Sequence, residues 1–326
     1  MIIDTHAHFT PQAMLDALQK EISRFPNVEL LADGDKYQLA FTGGQATRPI
    51  SPKLRDTDQR LEWMDHQCIT HQINGGWMDS FGYELPPEEG VAWSRFLNEY
   101  LMSGTDGIDP LVPLATVPLQ SGKLAAEVLE EALNAGFAGA MIGTQPHGNS
   151  GTLDDPDLDP FWEAASSLSA VLYLHPMFGC GDPRLLDFGM MNAVGRGVDT
   201  TIAISRLLYS GHFIKYPGMK FILSHGGGAL PYMLGRLNRN IEIPGHDYAN
   251  PVDGLKRLYF DTVLFDPNAL NFLKTVVGAE KLMLGSDYPF PIGDPNPLKV
   301  VEDADLTDGE KAMILGDTAA AIFKVG

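Results

Sequence analysis

A chain of 326 residues, 44% of them hydrophobic and with aromatic residues spread along its length, is long enough to bury a large core and is expected to be globular. A formal net charge of −19 repels phosphate backbones and anionic lipids, and no Lys/Arg cluster breaks that trend, so a nucleic-acid partner and a membrane surface are both excluded. The opening residues 1–3 run at once into Asp4 and His6, no apolar run reaches membrane-spanning length, and Cys68 and Cys180 stand far apart outside any CxxC spacing; a cytoplasmic protein without a disulfide framework is expected.

The first apolar run, MIIDTHAHF, ends in an acid and two histidines one residue apart. Residues from about 10 to 55 then mix a helix-like PQAMLDALQKEI with two alternating pieces, NVELLAD and KYQLAFT, around a DGD turn, which reads as a hairpin insertion. From Thr57 onward, amphipathic stretches such as TDQRLEWMDHQ, GVAWSRFLNEYL and GKLAAEVLEEALNAG alternate with short apolar runs. The runs MIID, ITHQIN, DPLVPLATV, AGAMIG, AVLYLHP, MKFILSH, RLYFDTV and KLMLGSD number eight. Eight βα units in roughly 300 residues predict an α/β fold of the TIM (β/α)8 barrel type. A doubly wound sheet is expected to place a Gly-rich phosphate loop after its first strand, where this chain has THAHFTPQ. No repeat or charged linker divides the sequence, so residues 1–326 are expected to form a single barrel with the insertion at about 10–55.

In a barrel the C-terminal ends of the strands form the active-site mouth. His6 and His8, two apart on strand one, project to the same face there, while strand five ends in His175, strand six in His225 and strand eight in Asp287. One such residue is ordinarily a satisfied polar group; five at four strand ends point to a shared site. Imidazoles and a carboxylate suit a divalent transition metal with a position left for water or substrate. Strand four, GFAGAMIGTQ, has no lysine to supply the bridging carbamate of two-metal barrels, so one metal ion is expected. His225, followed by three glycines, is either a further nitrogen ligand or an acid/base beside the metal. Asp4, deeper on strand one, is expected to support the ligands or the strand. Of the other histidines, only His147, after strand four, lies where it could see substrate.

Taken in order, MIIDTHAHF, RLEWMD, HP after strand five, DTTIAISRLL, SHGGGALPYMLGR and LMLGSDYPFPIGD resemble the amidohydrolase superfamily, and within it the 2-amino-3-carboxymuconate 6-semialdehyde decarboxylase-like family. The resemblance implies that His6, His8, His175 and Asp287 bind one divalent metal, zinc ahead of manganese, and that His225 is the acid/base beside it. It also implies a substrate-carboxylate role for Arg236, reaching into a neighbouring subunit of a homodimer or higher oligomer, and a substrate-packing role for Phe290. Two departures stand out. Met177, in HPMF, replaces an indole, and alignment on the DG turn sets Tyr37 and Gln38 where the family has an aromatic residue and a second carboxylate-binding arginine; Arg48 or Arg55 would have to compensate.

The expected function is therefore metal-dependent, non-oxidative decarboxylation of a small unsaturated or aromatic carboxylic acid, with His225 or Asp287 moving the proton. The alternative is a hydrolase or hydratase of a ring-cleavage product using the same metal site.

Overall fold

The computed structural model describes residues 1–177 and 180–326; Phe178 of the HPMF motif and Gly179 lie outside the described residues. Its strands are β1 (Ile3–His8), β2 (Val28–Asp33), β3 (Lys36–Phe41), β4 (His71–Gly75), β5 (Leu111–Pro113), β6 (Ala140–Gly143), β7 (Val171–His175), β8 (Lys220–Leu223), β9 (Leu258–Asp261) and β10 (Leu282–Met283). Apart from the hairpin β2–β3, every ladder is parallel, in the orders β1-β4-β5 and β6-β7-β8-β9-β10.

The two arcs join into a barrel at both seams. Ala115 bridges to Ala140 on one side. On the other, Thr5 N donates to Leu284 O and His8 N to Tyr288 O, both at 2.8 Å. All eight predicted runs are the eight barrel strands. They read as near-continuous apolar segments because helices cover the outer face and packed side chains fill the inner one; β7, VLYLH, is buried at every position.

The insertion expected at about 10–55 comprises helix Gln12–Glu21, the hairpin, and a short helix Pro52–Arg55. Gly34, at φ 59°, opens the two-residue turn that pairs Asp33 with Lys36. Met14, Leu15 and Leu18 of the helix pack with Leu39 and Phe41 of the hairpin against Trp77, Trp93 and Phe96. The hairpin thus buries one face over the β4 side of the mouth, and the loop after β3 is led back toward the barrel axis.

Arg60, from the RLEWMD stretch, is fully buried. It donates to Gln72 Oε1 at 2.6 Å, Asn74 Oδ1 at 2.8 Å and the His8 carbonyl at 2.5 Å, between the rings of Phe9 and Tyr288. Burial pulls its pKa down to about 10, still high enough to keep it charged at neutral pH. It ties β1 to β4 just behind the histidines of the mouth.

Candidate metal centre and active site

His6, His8, His175, His225 and Asp287 converge. Ligand atoms of His6, His175, His225 and Asp287 all lie within 4.8 Å of one another. His8 Nε2 approaches Asp287 Oδ1 to 3.3 Å, and His6 Nε2 approaches the same oxygen to 3.4 Å.

Each of three rings is held from behind, which fixes the edge it turns inward. His6 Nδ1 bonds Asp261 Oδ2 at 2.7 Å, His8 Nδ1 the Gly76 carbonyl at 3.0 Å, and His175 Nδ1 the Pro176 carbonyl at 2.8 Å. Carbonyl acceptors require the Nδ1–H tautomer, so Nε2 of His8 and His175 is left as a lone pair facing the centre.

Those inward atoms are orphans. Among the described residues, Nε2 of His6, His8 and His175 and Oδ1 of Asp287 are buried without a hydrogen-bond partner. One such atom costs about 1–3 kcal/mol; four turned toward one cluster are the kind of deficit a bound metal ion would satisfy. The donor set fits a single divalent metal ion.

The electrostatics favour the metal-binding protonation state at His8, His175 and Asp287, but not at His6. Burial lowers the pKa of His8, and burial with the charges of His8, His6 and His225 pushes His175 well below the usual imidazole range. Burial alone would raise Asp287, but His6, His225 and His8 hold it well below the carboxylate range. For His6, burial is outweighed by Asp287 and Asp261, which raise it.

His225 differs from the other three. Its side chain is 21% exposed, Nε2 sits 3.6 Å from Asp287 Oδ2, and Nδ1 has no hydrogen-bond partner among the described residues. His225 and Asp287 both take positive φ, 53° and 60°, a conformation uncommon for non-glycine residues though less so for His and Asp. After His225, Gly228, at φ 63°, packs so closely that a Cβ would come within 2.3 Å of Gly197 O.

Above the cluster opens a cavity of about 880 Å³. Phe290 lines it, its ring 5.0 Å from that of His8, in keeping with the expected packing role. Four other expected contacts are placed elsewhere in this chain. Tyr37 faces the insertion's own core beneath Arg55, and Gln38 spends its amide on Thr47 O at 2.6 Å. Met177 is buried over Gly143, where a Cβ would come within 2.4 Å of its sulfur. Arg236 is exposed on helix Leu230–Ile241, outside the cavity lining. His147 is likewise exposed and does not line it.

Of the two arginines held as substitutes, Arg48 reaches the cavity, whereas Arg55 pairs with Asp35 at 3.0 Å. Arg48 Nε and Nη2 clasp Asp79 at 3.0 and 3.1 Å.

Sequence reasoning assigned no role to Arg196, Asp79 or Asp261. Asp261 was visible as the acid in RLYFDTV at a strand end. It accepts from Tyr173 Oη at 2.9 Å and Gly226 N at 2.9 Å as well as bonding His6. Asp4 accepts from Ser286 Oγ at 2.6 Å and Gln72 Nε2 at 2.9 Å, tying β1 to the segment that carries Asp287.

The amidohydrolase family model matches residues 3–325. The chain is 27% identical over 284 residues to the 2-amino-3-carboxymuconate-6-semialdehyde decarboxylase of Dictyostelium discoideum, covering 85% of this chain and 79% of that one. It is 30% identical over 275 residues to the gamma-resorcylate decarboxylase of a Rhizobium species, covering 77% and 82%. The 5-carboxyvanillate decarboxylase of Novosphingobium aromaticivorans, solved with manganese and 3-methoxy-4-hydroxy-5-nitrobenzoic acid, superposes with a TM-score of 0.81 at 21% identity, over 99% of this chain and 97% of that one. The chain belongs to the amidohydrolase family, in its 2-amino-3-carboxymuconate-6-semialdehyde decarboxylase-like branch.

Proposed function

We propose that this metal-dependent carboxy-lyase removes CO2, without an oxidant, from a small aromatic or unsaturated carboxylic acid that carries a hydroxyl, amino or carbonyl group near the carboxylate. The observation that carries the reading is a floor of inward-facing, unpartnered ligand atoms with one partly exposed imidazole, His225, beside them, beneath a cavity walled by aromatic rings and arginines. Decarboxylation by the two sequence relatives agrees with it.

A divalent ion bound by His6, His8, His175 and Asp287 would supply Lewis-acid polarisation of substrate oxygens. The chain's own groups do the rest. Phe290 offers an apolar face to the flat part of the substrate, and Arg48, braced by Asp79, offers N–H donors to its polar edge. As the C–C bond to the carboxylate breaks, its electron pair stays on the substrate carbon and CO2 leaves. That carbon takes a proton from His225, whose Nε2 lies beside the Asp287 carboxylate, so the acid becomes its protonated, CO2-free product.

Three imidazoles and a carboxylate favour zinc, with manganese the competing ion because a structural neighbour holds it. Arg236 lies outside its own chain's cavity and shares helix Leu230–Ile241 with Tyr232, 83% exposed, which supports a homodimer or higher oligomer in which that helix meets a second copy.

The test is mass spectrometry of products after metal-loaded protein meets a panel of hydroxybenzoates, aminobenzoates and carboxymuconate semialdehydes. Loss of CO2 is expected from at least one. Addition of water, with no CO2 lost from any member, would overturn decarboxylation in favour of a hydratase or hydrolase at the same site.

A further inference from the structure

Asp199 opens the stretch DTTIAISRLL in the first turn of helix Arg196–Tyr209, and its carboxylate is buried. Oδ2 accepts from the Thr144 hydroxyl and from Met177 N, the latter at 3.2 Å, and Oδ1 accepts from Gln145 Nε2 at 3.0 Å. Burial raises the pKa of Asp199, and these donors with the charge of Arg196 oppose the rise. A partner set made of donors fits the ionised carboxylate, which can only accept.

The N–H that Asp199 takes belongs to the same peptide group as the carbonyl that holds His175. Pro176 O accepts from His175 Nδ1 at 2.8 Å and from Arg196 Nη1 at 3.1 Å; across the peptide bond, Met177 N donates to Asp199 Oδ2 and Thr144 Oγ1, each at 3.2 Å. One peptide plane is thus gripped at both ends, and residues 196 and 199 of a single helical turn supply one grip each. Resonance couples those ends: a negative charge at the N–H drives electron density onto the carbonyl oxygen. That oxygen then accepts more strongly from Nδ1–H of His175, which leaves more density on Nε2, the buried atom without a hydrogen-bond partner. His6 has a carboxylate directly behind its ring in Asp261, and His175 has one at a remove of one peptide group.

We propose that Asp199 is a positioning residue for the metal centre: through the Pro176–Met177 peptide it fixes the ring plane and Nδ1–H tautomer of His175 and strengthens Nε2 as an electron-pair donor. This rests on the reading of His175 as a metal ligand and is independent of which acid is the substrate.

The probe is zinc ion alone, titrated against a competing chelator, so that no turnover is needed. Three proteins are compared: wild type; Asp199→Asn, which keeps the shape and withdraws the charge; and Thr144→Val, which keeps the charge and leaves the Met177 N–H to Asp199. Asp199→Asn is expected to bind zinc about 3- to 10-fold more weakly, short of the about 10- to 100-fold expected for a directly bonded partner. In the zinc-loaded protein its His175 Nδ1–H proton resonance should move upfield. Thr144→Val should leave zinc affinity and that resonance as in wild type and lower only the melting temperature. Should Asp199→Asn fail to fold, the relay is read in reverse in wild type: zinc drawing density from Nε2 should pull the Met177 amide proton downfield, and an unmoved amide would overturn the proposal. So would an unchanged affinity or an unmoved His175 resonance in Asp199→Asn, or an equal loss of affinity in Thr144→Val, any of which leaves Asp199 as a brace between helix and loop. Wild type that binds no zinc would sink the reading of His175 as a ligand, and the proposal with it.

Discussion

His175 and His225 lie with ring centroids 5.2 Å apart, yet their surroundings give them different work. His175 is buried, tautomer-fixed by Pro176 and without a partner on Nε2, so on the proposed reading its removal takes away a ligand; His225 is partly exposed and adjoins the cavity. His175→Ala should lose both bound metal and turnover. His225→Ala should keep its metal by elemental analysis while turnover falls about 10²- to 10⁴-fold, the range for a lost general acid; full activity in that variant would remove His225 from the proton transfer. Asp261 acts through His6. Asp261→Asn keeps the shape but withdraws the charge behind the ring, and metal affinity measured against a competing chelator should drop about 10- to 100-fold. The histidines and Asp287 were legible because strand periodicity alone carries them to one end of the barrel. Arg196 was not: a lone arginine at a helix start is ordinarily a solvated charge, and only the fold brings the Pro176 and Met177 carbonyls to it.

Two elements bring side chains to the mouth by routes that sequence spacing does not reveal. The hairpin β2–β3 was readable from its alternation and DG turn, but which face of it meets the barrel was not, since a one-residue slip exchanges the faces. Tyr37 therefore went to the insertion's core, and the arginine that reaches the cavity is Arg48 in the following loop. Asp79 braces it from the 3₁₀ turn Met78–Ser80. Asp79→Ala should raise KM for a decarboxylated substrate more than it lowers kcat, because a loosened Arg48 weakens binding before and during the reaction alike; a fall in kcat alone would place Asp79 in the chemistry instead. The second element is the glycine turn after His225. Gly228 sits against Gly197, next to Arg196, so Gly228→Ala adds a clash as well as left-handed strain. Loss of thermal stability is expected, and an unchanged melting temperature would show that the contact relaxes freely.

At the scale of the whole molecule, the barrel concentrates unpartnered polar atoms at one end, so metal binding and stability are expected to be coupled there. Chelation should lower the melting temperature by several degrees, since a ligand at 100 times its Kd contributes about 2.7 kcal/mol; an unchanged melt after complete metal removal would deny that coupling. Arg60→Ala should cost about 3 kcal/mol or more, read as a lower denaturant midpoint, because it leaves the buried oxygens of Gln72, Asn74 and His8 without their donor. No helix of the described residues is long and apolar enough to cross a membrane. By itself the sequence determined the eight-stranded barrel and the five side chains that converge at its mouth, because buried parallel strands write themselves as apolar runs and a barrel sends their ends to one place. The tertiary structure alone decided which arginines enter the cavity, which acid stands behind His6, and that Met177, Tyr37 and Gln38 pack away from the cavity. Those outcomes depend on loop paths and on hydrogen bonds between residues far apart in the chain, such as the one from His6 to Asp261, and no local pattern records them.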